Sequence, residues 1–374
     1  MEEAMKQALR PVLRGGTAAM ASMATAVGLR PVDPAPVHYV IEEQDWAIRR
    51  VGTGIRDGIE RRHPGRLALV LRAAGTRNRV VHFGSQYMWT AWQGFMGGSN
   101  RYVTSFFHGK REDGVDIDRH IDQFLASVPK LGRIVASNQI LMDRLTGWGV
   151  PTDKLVRIPI GTDTTLFQPP STEERNAARN RFDVPDGAIA IGSFQKDGVG
   201  WGDGMEPKPV KGPDVLVETA ALLARERPVH VLLTGPARGY VKAELDRRGI
   251  RFSHDYLKDY ADLKHAYHAL DLYLVTSREE GGPMGLMESM ASHVPVVSTP
   301  VGMGLDLIDN GLTGWLAPID PAAIAETALE ALARKEPDVV LAAARERVLS
   351  CDWQVVADDH WRLVYEPLLA DLGS

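Results

Sequence analysis

Two carboxylates stand eight positions apart in the stretch EEGGPMGLMESMASHVPVVSTPVG. Glu280 lies in a turn directly after the apolar run DLYLVTS, and Glu288 lies within the helix that MGLMESMASH predicts after Pro283. Gly281 and Gly282 allow the backbone to come close to a ligand, and the free N–H groups at the helix start can receive an anion. The stretch therefore predicts a ligand site, although an acidic turn and a helical glutamate are also typical of solvated surface.

The elements that must position this stretch are short apolar runs that alternate with helical patterns. Several are continuous Val, Ile and Leu runs, which are typical of strands buried on both faces in a parallel sheet. Two βα-repeating series joined near residues 165–188 predict two doubly wound α/β domains that face each other, with helices over 213–226 and 257–270. The predicted strands are VHYVI, LALVL, RVVHFG, YVTSFFHG, RIVAS and LVRIPIG, then IAIGSF, VHVLLTG, IRFSH, DLYLVTS, VPVVST and GWLAP.

Ligands of open α/β sheets bind outside the carboxyl ends of the strands, and in two-domain proteins usually in the cleft between the domains. The turn that carries Glu280 follows such a strand end. We therefore expect both Glu280 and Glu288 to point toward the same cleft.

Composition limits the classes of function. The chain has 374 residues, of which 44% are hydrophobic and 24% are charged, and this length can bury two cores. A net charge of -5 gives no electrostatic case for nucleic acid as a partner, because phosphate-backbone binders usually carry a basic excess. The single Cys351 excludes an intramolecular disulfide framework and a multi-cysteine metal site. We expect neither a cofactor nor a metal ion.

Residues 1–36 are interpreted as an N-terminal extension. Arg10 and Arg14 precede the weakly apolar GGTAAMASMATAVGL, which loosely resembles a signal peptide, but Glu2 and Glu3 argue against export. The alternative is a helix that contacts a membrane surface. No apolar run approaches the roughly 20 residues that span a bilayer. We expect a cytoplasmic protein, with peripheral contact with the inner face of the membrane as the alternative.

The stretch over residues 279–302 resembles the E-x7-E signature of retaining family 4 glycosyltransferases of the GT-B fold, with Glu280 and Glu288 as its carboxylates. The resemblance extends over nearly the whole chain from about residue 37. It implies transfer of a sugar from a nucleoside-diphosphate sugar to a hydroxyl acceptor. We expect no essential metal, because the sequence has one cysteine, no clustered His, Asp or Glu spacing, and a pair of lysines that can neutralise the diphosphate. Three further stretches carry it in the same order: IVASNQILMDRLTGWGVPTDKLVRIPIGTDTTLFQP, YHALDLYLVTSREEGG and DLIDNGLTGWLAP.

The resemblance implies a role for each of the charged residues. Glu280 accepts hydrogen bonds from hydroxyls of the donor sugar, and Glu288 accepts them from the ribose of the nucleotide. A carboxylate is an acceptor-only group that can take two hydroxyls at once, so it suits a vicinal diol. Lys211, in KGPD at a helix start, and Lys196, after the strand IAIGSF, supply positive charge for the departing diphosphate.

The chain departs from the family pattern around these lysines. Ser193 stands where many relatives carry arginine. The stretch QKDGVGWGDGMEPKPVKGPD has about ten extra residues between Lys196 and the KGPD sequence. Lys196 either replaces that arginine or is a solvated loop lysine. A second departure is GGP in place of the commoner GFG, which removes one N–H group at Pro283.

Further site residues follow from the same resemblance. His108, at the end of the strand YVTSFFHGK, resembles the active-site histidine near the donor sugar, with a loop histidine as the alternative. Asp116 and Asp118 imitate the metal-binding DxD of the other glycosyltransferase fold, but the charged run around them predicts solvated surface. The remaining donor contacts are the turn residues Gly281, Gly282 and Met284, the glycines of a predicted phosphate loop, Gly52 and Gly54, and the base contacts Gly235, Pro236 and Tyr256.

The last segment, WQVVADDHWRLVYEPLLADL, has apolar residues at helical spacing and no strand of its own. The resemblance implies that the chain crosses back here and packs on the N-terminal domain; the alternative is a helix that finishes the C-terminal domain. The predicted domains are an acceptor-side domain over 37–170 with 353–374 and a nucleotide-sugar domain over 186–350.

The function expected from the sequence is that of a retaining hexosyltransferase-type glycosyltransferase. The resemblance favours a glycan, polysaccharide or glycolipid acceptor of the cell surface. Two alternatives stay open: a sugar-nucleotide epimerase or hydrolase on the same fold, and a non-catalytic nucleotide-sugar-binding protein.

Overall fold

A computed structural model describes residue 20, residues 32–43 and residues 47–373. The described residues form two units, one with residues up to Gly161 together with residues 353–373, the other with Thr162–Asp352. Most of the predicted N-terminal extension, residues 1–19 and 21–31, lies outside the described part. No helix in the described part has the length and apolar content needed to cross a membrane.

The first unit contains a six-stranded parallel sheet with the order β2-β1-β3-β4-β5-β6. Its strands are β1 Val37–Val40, β2 Leu67–Val70, β3 Val80–Phe83, β4 Arg101–Phe106, β5 Leu131–Ala136 and β6 Leu155–Arg157. Its helices are α1 Ala47–Arg62, α2 Gln86–Trp92, α3 Val115–Ser127 and α4 Gln139–Gly147.

The second unit contains a six-stranded parallel sheet with the order β12-β11-β10-β7-β8-β9. Its strands are β7 Ile189–Ser193, β8 Val229–Thr234, β9 Arg251–Asp255, β10 Leu272–Val275, β11 Val296–Ser298 and β12 Trp315–Leu316. Its helices are α5 Thr172–Arg181, α6 Pro213–Glu226, α7 Gly239–Arg247, α8 Leu263–His268, α9 Met284–Ala291, α10 Gly304–Leu307, α11 Pro321–Leu332 and α12 Pro337–Leu349.

Each predicted run overlaps one of these strands, and the prediction of two doubly wound parallel-sheet domains is confirmed. All six residues of β8 are buried, as are all four of β1 and of β10, which explains why these strands are continuous apolar runs. The order of the second sheet, counted from β7, is 3-2-1-4-5-6, the Rossmann arrangement.

The boundary between the units lies earlier than the sequence predicted. Residues 162–170 were expected in the first domain, but they group with the second unit. Phe167 is fully buried there against Tyr260 and Tyr267, and Arg345 donates to the carbonyl oxygen of Phe167 over 3.0 Å. The predicted linker that follows contains helix α5. Its arginines bind Asp271 of the same unit.

The C-terminal segment packs on the first unit, as the resemblance implied. It comprises α13 Trp353–His360, a π-helical turn Trp361–Tyr365 and α14 Glu366–Gly373. Its side chains fill places that glycines leave open: Trp353 lies against Gly54 and Gly161, and Leu368 lies against Gly132. The alternative of a helix that completes the second unit is wrong.

Gly52 and Gly54 lie in the middle of helix α1, not in a loop. A Cβ atom on Gly52 would come within 2.8 Å of Ile41 and Tyr39, and one on Gly54 would lie 2.3 Å from Cδ2 of Trp353. The pattern that suggested a phosphate loop therefore has a packing cause, because glycine lets both partners approach the helix backbone. Contact of either glycine with a donor stays a prediction.

Two buried histidines join the C-terminal segment to the sheet. The imidazole of His82 is hydrogen-bonded to the hydroxyls of Tyr365, at 2.7 Å, and Ser105, at 2.9 Å. Its ring stacks on His360 with the ring centroids 6.0 Å apart. Burial lowers the pKa of both imidazoles, that of His360 to about 4. Both side chains are therefore neutral at pH 7 and oppose protonation in the folded state.

We predict that Gly54→Ala destabilises the first unit by about 1 to 3 kcal/mol, the usual cost of overpacking. Trp353 has little room to move, because Gly161 contacts the same indole from another side. Gly147→Ala is the control, since a Cβ atom there meets nothing within 4 Å. Urea unfolding measures both changes. A loss of stability for Gly54→Ala no larger than that for Gly147→Ala would contradict the packing of Trp353 against Gly54. In the Gly54→Ala background, Trp353→Leu should restore much of the lost stability.

A second prediction concerns acid stability. His360 has an ordinary pKa near 6.5 when unfolded and about 4 when folded, so the unfolded chain binds the proton first as pH falls. Stability from this residue is complete above pH 6.5 and is lost between pH 6.5 and 4, up to about 3 kcal/mol. His360→Gln should therefore show a shallower loss over this window when unfolding is followed as a function of pH. Parallel curves for parent and variant would refute this.

Candidate functional site

The second sheet reverses its strand order between β7 and β10. From β7 the chain continues to β8 on one side, and from β10 it continues to β11 on the other. Loops that leave two such strands turn away from each other and open a crevice at the carboxyl end of the sheet, which is where ligands of this architecture bind. Lys196 and Glu280 lie just after β7 and β10, at this switch point.

The turn before helix α6 is locked against the end of β10. Gly212 has a φ of +61°, and a Cβ atom on it would lie 1.9 Å from the carbonyl oxygen of Thr276. The Thr276 hydroxyl donates to the Gly212 carbonyl over 3.0 Å, and the backbone N–H of Arg278 donates to Val210 over 2.8 Å. Only glycine fits this approach, so the KGPD sequence determines where Lys211 lies.

Lys211 and Glu280 form an ion pair at this point. The ammonium lies 2.6 Å from Oε1 of Glu280, and the Ser277 hydroxyl donates to the same oxygen over 2.8 Å. Gln195 donates to the carbonyl oxygen of Lys211 over 3.0 Å and so connects the segment after β7 to the pair. The side chains are 29% and 11% exposed, so both groups are accessible to a ligand.

Glu288 lies on helix α9, as predicted, but it is only 3% exposed. The Tyr267 hydroxyl donates to one carboxylate oxygen over 2.6 Å, and the Tyr260 hydroxyl donates to the other. Burial and the neighbouring carboxylate raise the pKa of Tyr267 well above its ordinary value. Each carboxylate oxygen can accept further hydrogen bonds. Neither tyrosine was predicted as a site residue, because their spacing in YADLKHAY is that of an ordinary helical face.

Lys196 lies beside the ring of Trp201, which was not predicted as a site residue. Its ammonium is 3.8 Å from the centroid of the Trp201 ring, a cation–π contact. Burial and the positive charge of Lys208 lower the pKa of Lys196, and burial and Lys211 lower that of Lys208. Lys208 is thus near enough to repel Lys196, and Lys211 is near enough to repel Lys208. They concentrate positive charge at the switch point.

The remaining predicted donor contacts of this unit follow strand ends. Gly281 is buried, and Gly282 and Met284 are half-buried at the start of α9. Gly235 and Pro236 follow β8, and a Cβ atom on Gly235 would lie 3.6 Å from the carbonyl oxygen of Gln195. Tyr256 follows the edge strand β9 and is 57% exposed.

His108 belongs to the first unit, where it follows β4. Its carbonyl oxygen accepts a hydrogen bond from Gln86 over 2.9 Å, and its ring centroid lies 5.9 Å from that of Tyr87. Tyr87 and His120 were not predicted as site residues, and their rings stack next to His108 with the centroids 4.2 Å apart.

The DxD pair lies on helix α3 of the first unit. The Asp116 side chain is 94% exposed and pairs with Arg119, and Asp118 pairs with Arg111. No group of three or more His, Cys, Asp or Glu among the described residues could hold a metal ion.

Residues 200–334, which include Lys211, Glu280 and Glu288, match the family described as Glycosyl transferases group 1. The chain is 29% identical over 221 residues to a D-inositol 3-phosphate glycosyltransferase of Corynebacterium aurimucosum, covering 54% of this chain and 49% of that protein. It is 26% identical over 194 residues to the lipopolysaccharide core biosynthesis mannosyltransferase LpsB of Rhizobium meliloti, covering 49% and 52%. The chain spans about half the length of these curated relatives.

The fold is shared with solved structures. Anabaena HepE, solved in complex with UDP-glucose, superposes with a TM-score of 0.72 at 15% identity, covering 88% of this chain and 99% of that one. Sucrose-phosphate synthase from Thermosynechococcus elongatus superposes with a TM-score of 0.65 at 21% identity, covering 78% and 74%. These likenesses show the fold.

The tyrosine pair around Glu288 leads to a prediction. Tyr267→Phe removes the donor to one buried carboxylate oxygen, which should cost about 1 to 3 kcal/mol of unfolding free energy. The matched control is Tyr256→Phe, which removes an exposed hydroxyl and should change stability by less than about 0.5 kcal/mol. Equal unfolding free energies for the two variants would show that the Tyr267 hydroxyl does not support Glu288.

Proposed function

We propose that the chain is a retaining glycosyltransferase of family 4 that moves a sugar from a nucleoside-diphosphate sugar to a hydroxyl acceptor, without an essential metal. The observation that carries the proposal is the Lys211–Glu280 pair, 2.6 Å long and partly exposed at the switch point of the second sheet. An ammonium for phosphate and a carboxylate for hydroxyls, side by side, are what a sugar diphosphate requires.

Within this proposal Glu280 binds the donor sugar. Its Oε1 already accepts from Lys211 and Ser277, and a carboxylate has a second oxygen that can take sugar hydroxyls. Glu288, which accepts hydrogen bonds from Tyr260 and Tyr267, is proposed to accept hydrogen bonds from the ribose hydroxyls as well. In this proposal the accessible carboxylate of the E-x7-E spacing binds the sugar of the donor, and the buried carboxylate binds its ribose.

The departing diphosphate needs positive charge where its own negative charge develops. Lys211 and Lys196 supply that charge, and Lys208 adds to the local field through its proximity to both. A phosphate oxygen of the departing group assists deprotonation of the acceptor hydroxyl, and the reaction passes through an oxocarbenium-like state. His108 is proposed to act near the donor sugar.

The acceptor class is proposed from the relatives. Curated relatives include an inositol-phosphate glycosyltransferase and a lipopolysaccharide core mannosyltransferase, and the HepE structure contains UDP-glucose. We propose a nucleoside-diphosphate hexose as donor and a glycan, polysaccharide or glycolipid precursor of the cell surface as acceptor.

The test is release of nucleoside diphosphate from a panel of sugar nucleotides, with and without acceptors. We expect release only with an acceptor, product with the anomeric configuration of the donor by NMR, and at most a few-fold change in excess chelator. Release without an acceptor would indicate a hydrolase, isomerised sugar an epimerase, and binding without turnover a binding protein. Complete loss in chelator that manganese or magnesium restores would contradict metal independence.

Variants in this assay separate the roles. Glu280→Gln should spare nucleoside-diphosphate binding and reduce turnover, whereas Glu288→Gln should weaken nucleotide binding about ten- to a hundredfold. Lys211→Ala should weaken the diphosphate and the sugar nucleotide but not the nucleoside. Lys335→Ala, an exposed lysine of the same unit, is the charge control. Turnover and affinity within twofold of the parent for both glutamate variants would contradict the assignment.

A further inference from the structure

The extra residues after Lys196 form a short hairpin, residues 198–207. Gly198 and Pro207 are paired by an antiparallel bridge, and the N–H of Val199 donates to the carbonyl oxygen of Glu206 over 2.8 Å. At its base, the N–H of Lys208 donates to the carbonyl oxygen of Asp197 over 2.7 Å. The insertion is therefore a defined structure.

The hairpin is fixed to the second unit at its base and near its turn. Arg238 and Asp197 form an ion pair of 3.0 Å between side chains that are 0% and 1% exposed. The N–H groups of Gly239 and Tyr240 donate to the carbonyl oxygens of Asp203, over 2.6 Å, and Gly204, over 3.0 Å. These contacts hold the hairpin against the loop after β8.

Trp201 is 49% exposed on this hairpin, and its ring lies under the Lys196 ammonium. A lysine side chain has about 2 kcal/mol of rotamer entropy, so the Lys196 ammonium, which Lys208 repels, tends to turn away from Lys208. A π face opposes this tendency, since it attracts a cation by about 0.5 to 2 kcal/mol. Unlike a carboxylate, the ring restrains the ammonium without contributing negative charge.

We propose that Trp201 is a positioning residue, whose ring holds the Lys196 ammonium at the switch point so that Lys196, Lys208 and Lys211 together receive a diphosphate. The inference rests on the proposed function and assigns the hairpin to the phosphate subsite of the donor. The N–H bonds of Lys196 that point away from the ring donate to phosphate oxygens while the contact with Trp201 persists.

Two substitutions separate the π face from the bulk of the side chain. Trp201→Leu keeps apolar volume without a π face, and Trp201→Phe keeps a π face. Calorimetry with UDP and with inorganic pyrophosphate should show roughly 2- to 30-fold weaker binding for Trp201→Leu and a smaller loss for Trp201→Phe. Uridine affinity should be unchanged in both. Val199→Ala, at another exposed apolar position of the hairpin, should bind like the parent.

The coupling to Lys196 is tested in the same experiment. Lys196→Gln should weaken pyrophosphate binding, and Trp201→Leu should have no further effect in that background. Equal losses for the leucine and phenylalanine variants, an equal loss for uridine, or additive effects with Lys196→Gln would each overturn the proposal.

NMR of the lysine ε-methylene groups gives a readout that does not depend on turnover. In the parent the Lys196 signal should show an upfield ring-current shift that Trp201→Leu removes, and pyrophosphate should move it further. A ring-current shift with no response to pyrophosphate or UDP would overturn the phosphate subsite, even if acceptor-dependent transfer is observed. Response of the lysines without any transfer would contradict the proposed reaction and leave the subsite supported.

Discussion

The close approach of Gly212 to Thr276 is the constraint on which the candidate site depends. The backbone of the turn before α6 touches the backbone after β10, and a methyl group on Gly212 would overlap the Thr276 carbonyl oxygen. Lys211 and Glu280 lie at short distances along the chain on either side of this contact, and their charged atoms therefore come within 2.6 Å. A partly exposed ion pair contributes little to stability, so the position of the charges is its main consequence.

Glu280 and Glu288 occupy different environments, although they stand only eight positions apart in the sequence. Glu280 shares one oxygen with a lysine and a serine and can exchange partners with solvent or ligand. Glu288 is buried behind Tyr260 and Tyr267, and Phe167 contacts the rings of both tyrosines. Burial of a carboxylate costs free energy unless the group is hydrogen-bonded. The hydrogen bonds from the two tyrosines therefore allow Glu288 to be buried.

The sequence predicted the features that depend on local pattern. Strands buried on both faces are continuous apolar runs, and the helix over 213–226 begins at a proline, so both were predicted closely. The features that failed or were missed depend on contacts between distant segments. Gly54 was predicted to belong to a phosphate loop, but a glycine is required there because the indole of Trp353, about 300 positions later, packs against it. Phe167 was assigned to the first unit because its contacts with Tyr260 and Tyr267 leave no local signal.

The lysines of the switch point differ in what restrains them, and this difference bears on how an anion would bind. Lys211 is held by a carboxylate, so that pair carries no net charge and a phosphate must share the ammonium with Glu280. Lys196 lies against the face of Trp201, an uncharged ring that does not neutralise an ammonium as a carboxylate does. A surface insertion of about ten residues is tolerated at low entropic cost. The insertion is fixed by Arg238 and by the loop after β8, and it brings the aromatic face of Trp201 to the Lys196 ammonium.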